Sequence, residues 1–287
     1  MKQLLILSGK GGTGKTTIAS ALIKLFNAKA YGDCDVDAPN LHLITRQNTK
    51  PIKNHYYGLP KAKINPKLCI KCGNCIQSCR FDAISLKKIY TVDLYACEGC
   101  GVCGLVCPRG AISLEPTIDG ELMLYKDKEE VFSTAQLKMG SGTSGMLVTE
   151  VKKQMKSAAG DENFAIIDGS PGIGCPVIAS LSGVDMVLIV AEPSISGISD
   201  MERIIKTAQG FGTKIGVCIN KYDTNLRNTR NIQGFCEKKG IPFVGKIPFD
   251  SEAVKVINNG STIVDIECAS GVAVRKIHAK IIDIFKI

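Results

Sequence analysis

Two groups of residues in this 287-residue chain have types and spacings that could do chemistry. The first is Gly9-Lys10-Gly11-Gly12-Thr13-Gly14-Lys15-Thr16-Thr17. Glycines let the backbone approach a phosphate closely and take positive φ angles, so successive N–H groups can wrap the anion. In the spacing G-x4-G-K-T, Lys15 reaches the β- and γ-phosphates and the Thr16 hydroxyl ligates Mg²⁺. The second group is a pair of cysteine runs: Cys69, Cys72, Cys75 and Cys79, then Cys97, Cys100, Cys103 and Cys107. The tight spacing C-x2-C-x2-C-x3-C, used twice, suits thiolates wrapped around [4Fe–4S] cubanes. A four-cysteine zinc site uses paired CxxC units with a longer gap, which neither run offers.

A phosphate loop needs a strand before it and a helix after it. Residues 3–8 (QLLILS) supply the strand, and residues 16–26 have helical spacing. Residues 28–33 read as a second strand that ends in acid. Apolar runs at 165–168, 186–191, 215–220 and 243–247 read as buried parallel strands. Helical patterns lie around 144–157, 198–209 and 226–239, and the Gly-, Ser- and Thr-rich stretch 134–145 reads as a loop near the nucleotide. The run 272–287 carries Val274, Ile277, Ile281, Ile284 and Phe285 on one face. It reads as a last helix packed on the sheet, since no basic membrane-binding helix follows it.

The cysteine block interrupts this alternation and is an internal repeat. Residues 69–86 match residues 97–114 at an offset of 28, sharing four cysteines, one glycine and a closing Ala-Ile-Ser-Leu that reads as a short strand. The expected organisation is one α/β domain, residues 1–58 and 117–287, split by a small domain at 59–116. No stretch approaches the ~18 apolar residues of a membrane span, and regular CxxC spacing without a signal peptide reads as metal binding in a reducing, cytoplasmic setting. The five scattered cysteines, Cys34, Cys175, Cys218, Cys236 and Cys268, read as small hydrophobes, with Cys34 and Cys175 beside the presumed switch segments. The formal charge is +9; two clusters at roughly −2 each would bring it to about +5. No basic stripe interleaved with aromatics calls for nucleic acid.

Lys10 places a second lysine in the loop, and KGGTGKTT resembles the deviant phosphate loop of the MinD/ParA class. The resemblance implies that Lys10 acts across a nucleotide-sandwich dimer. Gly32-Asp33-Cys34-Asp35-Val36-Asp37-Ala38-Pro39-Asn40 resembles the switch I segment of that class, which assigns Asp35 to the attacking water and Asp33 to the Mg²⁺ shell. Ile166-Ile167-Asp168-Gly169-Ser170-Pro171-Gly172 resembles its Walker B and switch II, with Asp168 on the Mg²⁺ side. Asn220-Lys221-Tyr222-Asp223 spells NKxD, which alone favours guanine. In the MinD/ParA class the equivalent Asn contacts adenine, helped by a Pro-x-Asp segment, here Pro248-Phe249-Asp250, so the resemblance favours ATP. The nucleotide-binding set is then Gly9, Gly11, Gly12, Thr13, Gly14, Lys15, Thr16, Thr17, Asn220, Pro248 and Asp250, with Lys10, Lys15 and Asp35 catalytic and Thr16, Asp33 and Asp168 at Mg²⁺.

The cysteine block resembles a bacterial two-cluster ferredoxin, in which the fourth cysteine of each run ligates the other cluster. That pairs Cys69, Cys72, Cys75 and Cys107 on one [4Fe–4S] cluster and Cys97, Cys100, Cys103 and Cys79 on the other. The first run departs from the pattern at Arg80, where proline usually follows. The block holds eight Lys/Arg and four Asp/Glu between residues 61 and 115, unlike the usual acidic ferredoxin, and a basic face suits an acidic redox or client partner. As a whole the chain resembles MinD-superfamily ATPases with an inserted ferredoxin domain. The implied fold is a P-loop NTPase with a mainly parallel sheet flanked by helices, interrupted by a small α+β unit.

Three functions compete. The first, favoured by the complete eight-cysteine ligand set, is an ATPase, as homodimer or heterodimer with a paralogue, whose nucleotide state governs electron transfer through two clusters. The second is an ATP-dependent carrier or assembly factor for a cluster or metal. The third is a ParA/MinD-like positioning ATPase. Neither nucleic acid nor stable membrane association is expected.

Overall fold

The computed structural model describes residues 1–286, so Ile287, the end of the expected C-terminal run, lies outside them. The chain runs β1 (Lys2–Ser8), α1 (Lys15–Leu25), β2 (Ala30–Asp33), α2 (Leu41–Ile44) and β3 (Ile52–Tyr57). The cysteine block follows as β4 (Lys61–Ile64), α3 (Asn74–Ser78), β5 (Ile84–Leu86), β6 (Tyr90–Val92), α4 (Val102–Leu105) and β7 (Ile112–Glu115). Then come β8 (Ile118–Lys126), β9 (Val131–Leu137), α5 (Ser144–Ala158), β10 (Phe164–Asp168), α6 (Cys175–Leu181) and β11 (Met186–Ala191). The chain closes with α7 (Ile195–Gly210), β12 (Lys214–Asn220), α8 (Leu226–Lys239), β13 (Phe243–Ile247), α9 (Ser251–Asn258) and α10 (Ala269–Phe285).

Nine strands form one sheet in the order β13-β12-β11-β1-β10-β2-β9-β8-β3. Neighbours from β13 to β9 are parallel, and β8 and β3 extend the edge antiparallel. β1 sits centrally because it is apolar on both faces. Leu5 and Leu7 pack with Ile167, Val187 and Ile189 under α5 and α7. Leu4 and Ile6 pack with Ile166, Leu188 and Cys218 under α1 and α10. Such a sheet must be covered on both sides, and each fully buried Leu or Ile contributes about 1.5–3 kcal/mol. α10 buries Val274, Ile277, Ile281 and Phe285 in that second layer, so the last described helix is a core element. No helix among the described residues is long and apolar enough to cross a membrane.

One expected loop is a correction. Residues 134–137 lie in β9, between β2 and β8, and the loop is confined to 138–143. Ser133 and Thr134 are fully buried there; small hydroxylated side chains fit under α5 while lowering the hydrophobic signal. Within the cysteine block, β4 pairs antiparallel with β7 and β5 with β6, as two separate two-stranded sheets.

Candidate functional site

The carboxyl ends of the central strands converge on the glycine loop, as ligand sites of open α/β sheets do. β1 delivers the chain to Gly9, and α1 begins at Lys15 after Gly14 turns it through φ 87°. A Cβ at Gly14 would lie 2.3 Å from Asn220 Nδ2, so this turn needs glycine for both conformation and space. Asn220, at the end of β12, donates from Nδ2 to the Thr13 carbonyl at 2.7 Å and pins the loop to the sheet. Gly11 and Gly12 are exposed and Thr17 half-buried. The Thr13 hydroxyl is buried without a partner, an orphan acceptor and donor inside the loop.

Lys15 is buried, with Nζ 2.6 Å from Asp168 Oδ1, while the Thr16 hydroxyl donates to Asp168 Oδ2 at 2.6 Å. Burial opposes the Lys15 charge, but the Asp168 carboxylate outweighs it with help from Asp33 and Asp35, holding the ammonium above its ordinary value. Asp33 stands at the end of β2 beside Asp168. Burial, then the Asp168 charge, push its carboxyl up to about 7. Its oxygens accept from the backbone N–H groups of Asp35, Asn40 and Leu41, each at 3.0 Å. Asp33 therefore shapes the 33–41 turn as well as facing the site. Asp35 is half-buried, and burial raises its carboxyl too, against the pull of Lys15. The two segments after β2 and β10 are tied together: Ser170 Oγ donates to the Cys34 carbonyl at 2.5 Å, and Cys34 N–H donates to the Asp168 carbonyl at 2.7 Å.

Lys10 lies against its own subunit. Its Nζ donates to Ser194 Oγ and Ser196 Oγ, both at 3.1 Å, and sits 3.5 Å from Glu192. Glu192 also takes Lys221 at 3.3 Å, and Lys221 donates to the Gly12 carbonyl at 3.1 Å. Sequence reading missed this Glu192 hub. Its position just beyond β11, next to β1 in the sheet, was the available signal.

Beside the loop, Ile18, Asn220, Ile247, Pro248, Ala253, Val254 and Ile257 line a cavity of about 210 Å³, partly open to solvent. Asp250 borders it but is committed elsewhere: one carboxylate oxygen accepts from Glu252 N–H at 3.0 Å and the other from Ser270 N–H at 2.9 Å. Asp223 is likewise committed, accepting from Phe249 N–H at 2.8 Å.

In the cysteine block, Cys69, Cys72, Cys75 and Cys107 line one small cavity of about 20 Å³. Cys79, Cys97, Cys100 and Cys103 line a second of about 20 Å³. The repeat recurs in the backbone: Lys71 and Gly73 have φ of 58° and 88°, and Gly99 and Gly101, 28 residues on, have 65° and 79°. Ala111 N–H already points at Cys107 Sγ, 3.3 Å away. Burial pushes the Cys75 and Cys103 thiols up, and neighbouring thiols of the same quartet, Cys69 with Cys72 and Cys97 with Cys100, push the same way. Among the described residues no three His, Cys, Asp or Glu side chains converge as they would around a single metal ion.

Of the scattered cysteines, Cys34, Cys218 and Cys236 are buried, Cys268 is half-buried and Cys175 is exposed. Cys268 caps α10, its Sγ accepting from Gly271 N–H.

A family model described as the CobQ/CobB/MinD/ParA nucleotide binding domain matches residues 4–263. The uncharacterized protein MJ0578 of Methanocaldococcus jannaschii is 33% identical over 97% of this chain and 96% of its own length. Among solved structures, the septum site-determining protein MinD complexed with Mg-ADP from Pyrococcus horikoshii superposes with a TM-score of 0.59 at 18% identity, covering 98% of this chain and 95% of that one. The MinC:MinD cell division protein complex of Aquifex aeolicus gives 0.56 at 20% identity, covering 99% and 96%. At those identities the structures speak for the fold alone.

Proposed function

Because the chain belongs to the CobQ/CobB/MinD/ParA nucleotide-binding domain family, we propose that it is an ATP-binding, ATP-hydrolysing switch protein of the MinD/ParA kind. The observation that carries this is the Lys15–Asp168–Thr16 constellation at the mouth of the glycine loop. Lys15 and Thr16 are the groups the loop motif assigns to phosphate and Mg²⁺, and both sit on one buried carboxylate. Mg²⁺, held by Thr16 and Asp168 with Asp33 behind, would neutralise charge building on the phosphates. Loop N–H groups and the Thr13 hydroxyl bind the phosphate oxygens, and Asp35 orients the attacking water. Lys10 leaves Glu192 to reach the partner subunit's nucleotide. The partner is a second copy or a paralogue.

Adenine is the base we assign to the cavity at Pro248. The assignment follows from the nucleotide-binding family to which the chain belongs. Asp250 stands in the cavity wall, where its two backbone bonds hold it in place beside the base. Replacing Lys15 by Ala should lower ATP turnover by about 10²-fold or more; steady-state phosphate release checks it, and turnover unchanged in the variant would remove the loop from the reaction.

A second reading is favoured by one specific observation, the assortment of the eight clustered cysteines into two cavities, one quartet each. We infer from it that residues 59–116 form a ferredoxin-like domain holding two [4Fe–4S] clusters, bound by the quartets Cys69, Cys72, Cys75, Cys107 and Cys97, Cys100, Cys103, Cys79. Such clusters supply one-electron chemistry. With them the switch would govern electron transfer, or the delivery of a cluster or metal. The known proteins that share the fold favour a positioning type of ATPase over either. Iron and acid-labile sulfide analysis separates them: eight of each per chain, about, supports the cluster domain, and none after anaerobic reconstitution leaves the positioning reading alone.

A further inference from the structure

The two cysteine cavities differ in what surrounds them. The Cys79/Cys97/Cys100/Cys103 cavity has Glu98 in its wall, and its loop leans on the main domain. A Cβ at Gly142 would meet the Glu98 carboxylate at 3.4 Å. Tyr95 lies against Gly140 in the same way. Lys61, buried, donates to the Cys97 carbonyl at 2.5 Å. This cavity is the one beside the 140–142 loop of the main domain, with Cys100 exposed at its rim.

Both cavities are lined only by residues of the cysteine block, but that of Cys69, Cys72, Cys75 and Cys107 has Lys71 and Arg109 in its wall and no acid. Cys72 is exposed there, as are Leu68 and Ile70 beside it. Lys67 lies two residues before Cys69, and Lys87 and Lys88 form the turn of the hairpin whose Tyr90 lines the cavity. None of Lys67, Lys71, Lys87, Lys88 or Arg109 makes an ion pair among the described residues. Lys71 and Arg109 in the wall beside exposed apolar side chains, with three more unpaired lysines on the flanking segments, form a surface complementary to negative charge, which steers association more than it stabilises the fold.

We propose that this face is the docking surface for an acidic protein electron carrier, so that electrons pass between the carrier and the cluster at Cys72, while the cluster beside Glu98 is the relay. The proposal rests on the two-cluster reading above. The site beside Glu98 would have the lower potential and the site at Cys72 the higher, because cations favour the reduced, more negative cluster and Glu98 opposes it.

The test uses the full-length protein, reconstituted and checked for iron and acid-labile sulfide, with an acidic bacterial two-cluster ferredoxin as the probe carrier. Binding is followed by calorimetry at low and high ionic strength. Wild type should bind at low salt and weaken steeply as salt rises. The double variant Lys71→Glu/Arg109→Glu should lose about tenfold or more in affinity at low salt and most of the salt dependence. Lys71→Gly, compatible with the positive φ at that residue, should show a smaller loss with full iron content, which guards against a cluster-assembly defect. Glu98→Gln should leave carrier affinity unchanged and raise the potential of one cluster only. Equal loss on reversing the remote pair Lys238 and Lys239, or no binding by wild type with full iron content, would overturn the docking surface while sparing the clusters. Absence of iron and sulfide would sink the cluster reading and this inference with it.

Discussion

Single residues decide most of the nucleotide chemistry. The loop motif announced Lys15, Thr16 and the glycines because phosphate binding tolerates few alternatives in type and spacing. The surroundings of Lys10 were not legible. Ser194, Ser196 and Glu192 lie more than 180 residues away and meet it only because β11 is hydrogen-bonded to β1. Asp33 was read as a metal-facing acid, but its three backbone donors show it also building the turn that carries Asp35. The cysteines allow a direct check on burial. Burial pushes the Cys34 and Cys218 thiols up to about 12 and Cys236 to about 11, so almost no thiolate exists there near neutrality. Brief alkylation of the native protein, mapped by peptide mass spectrometry, should modify exposed Cys175 and spare these three until denaturant is added. Prompt labelling of Cys218 would mean that the sheet opens where it is drawn closed.

At the scale of elements, legibility followed burial. The central strands are apolar on both faces, so their runs stand out, and the helices at 144–157, 198–209 and 226–239 were read within three residues of their ends. The antiparallel edge was missed because its signal is diluted: β3 (IKNHYY) buries only Tyr56, and β9 carries Ser133 and Thr134 into the core. α9 also escaped notice, being eight residues long with one buried side chain. Asp250 starts that helix and ties it to α10, and the Ser270 N–H above all holds its carboxyl below the usual value of 3.8. Such a carboxylate stabilises the fold above its unfolded pKa, and the contribution is lost as pH falls through the folded value. Replacing Asp250 by Ala should cost about 1 kcal/mol near neutral pH. The difference in melting temperature from wild type should shrink as pH drops below 3.8. A constant difference across that range would show that the cap acts without its charge.

For the molecule as a whole, the glycine loop, the segments after β2 and β10 and the cavity at Pro248 all sit on the carboxyl edge of one sheet, and the cysteine block hangs from the antiparallel end of the same sheet, between β3 and β8. Lys10 held on its own Glu192 fits a resting subunit that must release it on pairing. Light scattering should find larger assemblies with ATP than with ADP, from this chain or a mixture with its paralogue, and Lys10→Ala should abolish the difference while nucleotide still binds. Assembly unaltered in that variant would take Lys10 out of the interface. The most direct test of the account is a calorimetric titration of the protein with Mg-ATP and with Mg-GTP, for wild type and Lys15→Ala. The account predicts one ATP per chain, GTP weaker by tenfold or more (about 1.4 kcal/mol), and no ATP binding by the variant. GTP binding with ATP ignored, or ATP binding undiminished without Lys15, would contradict it.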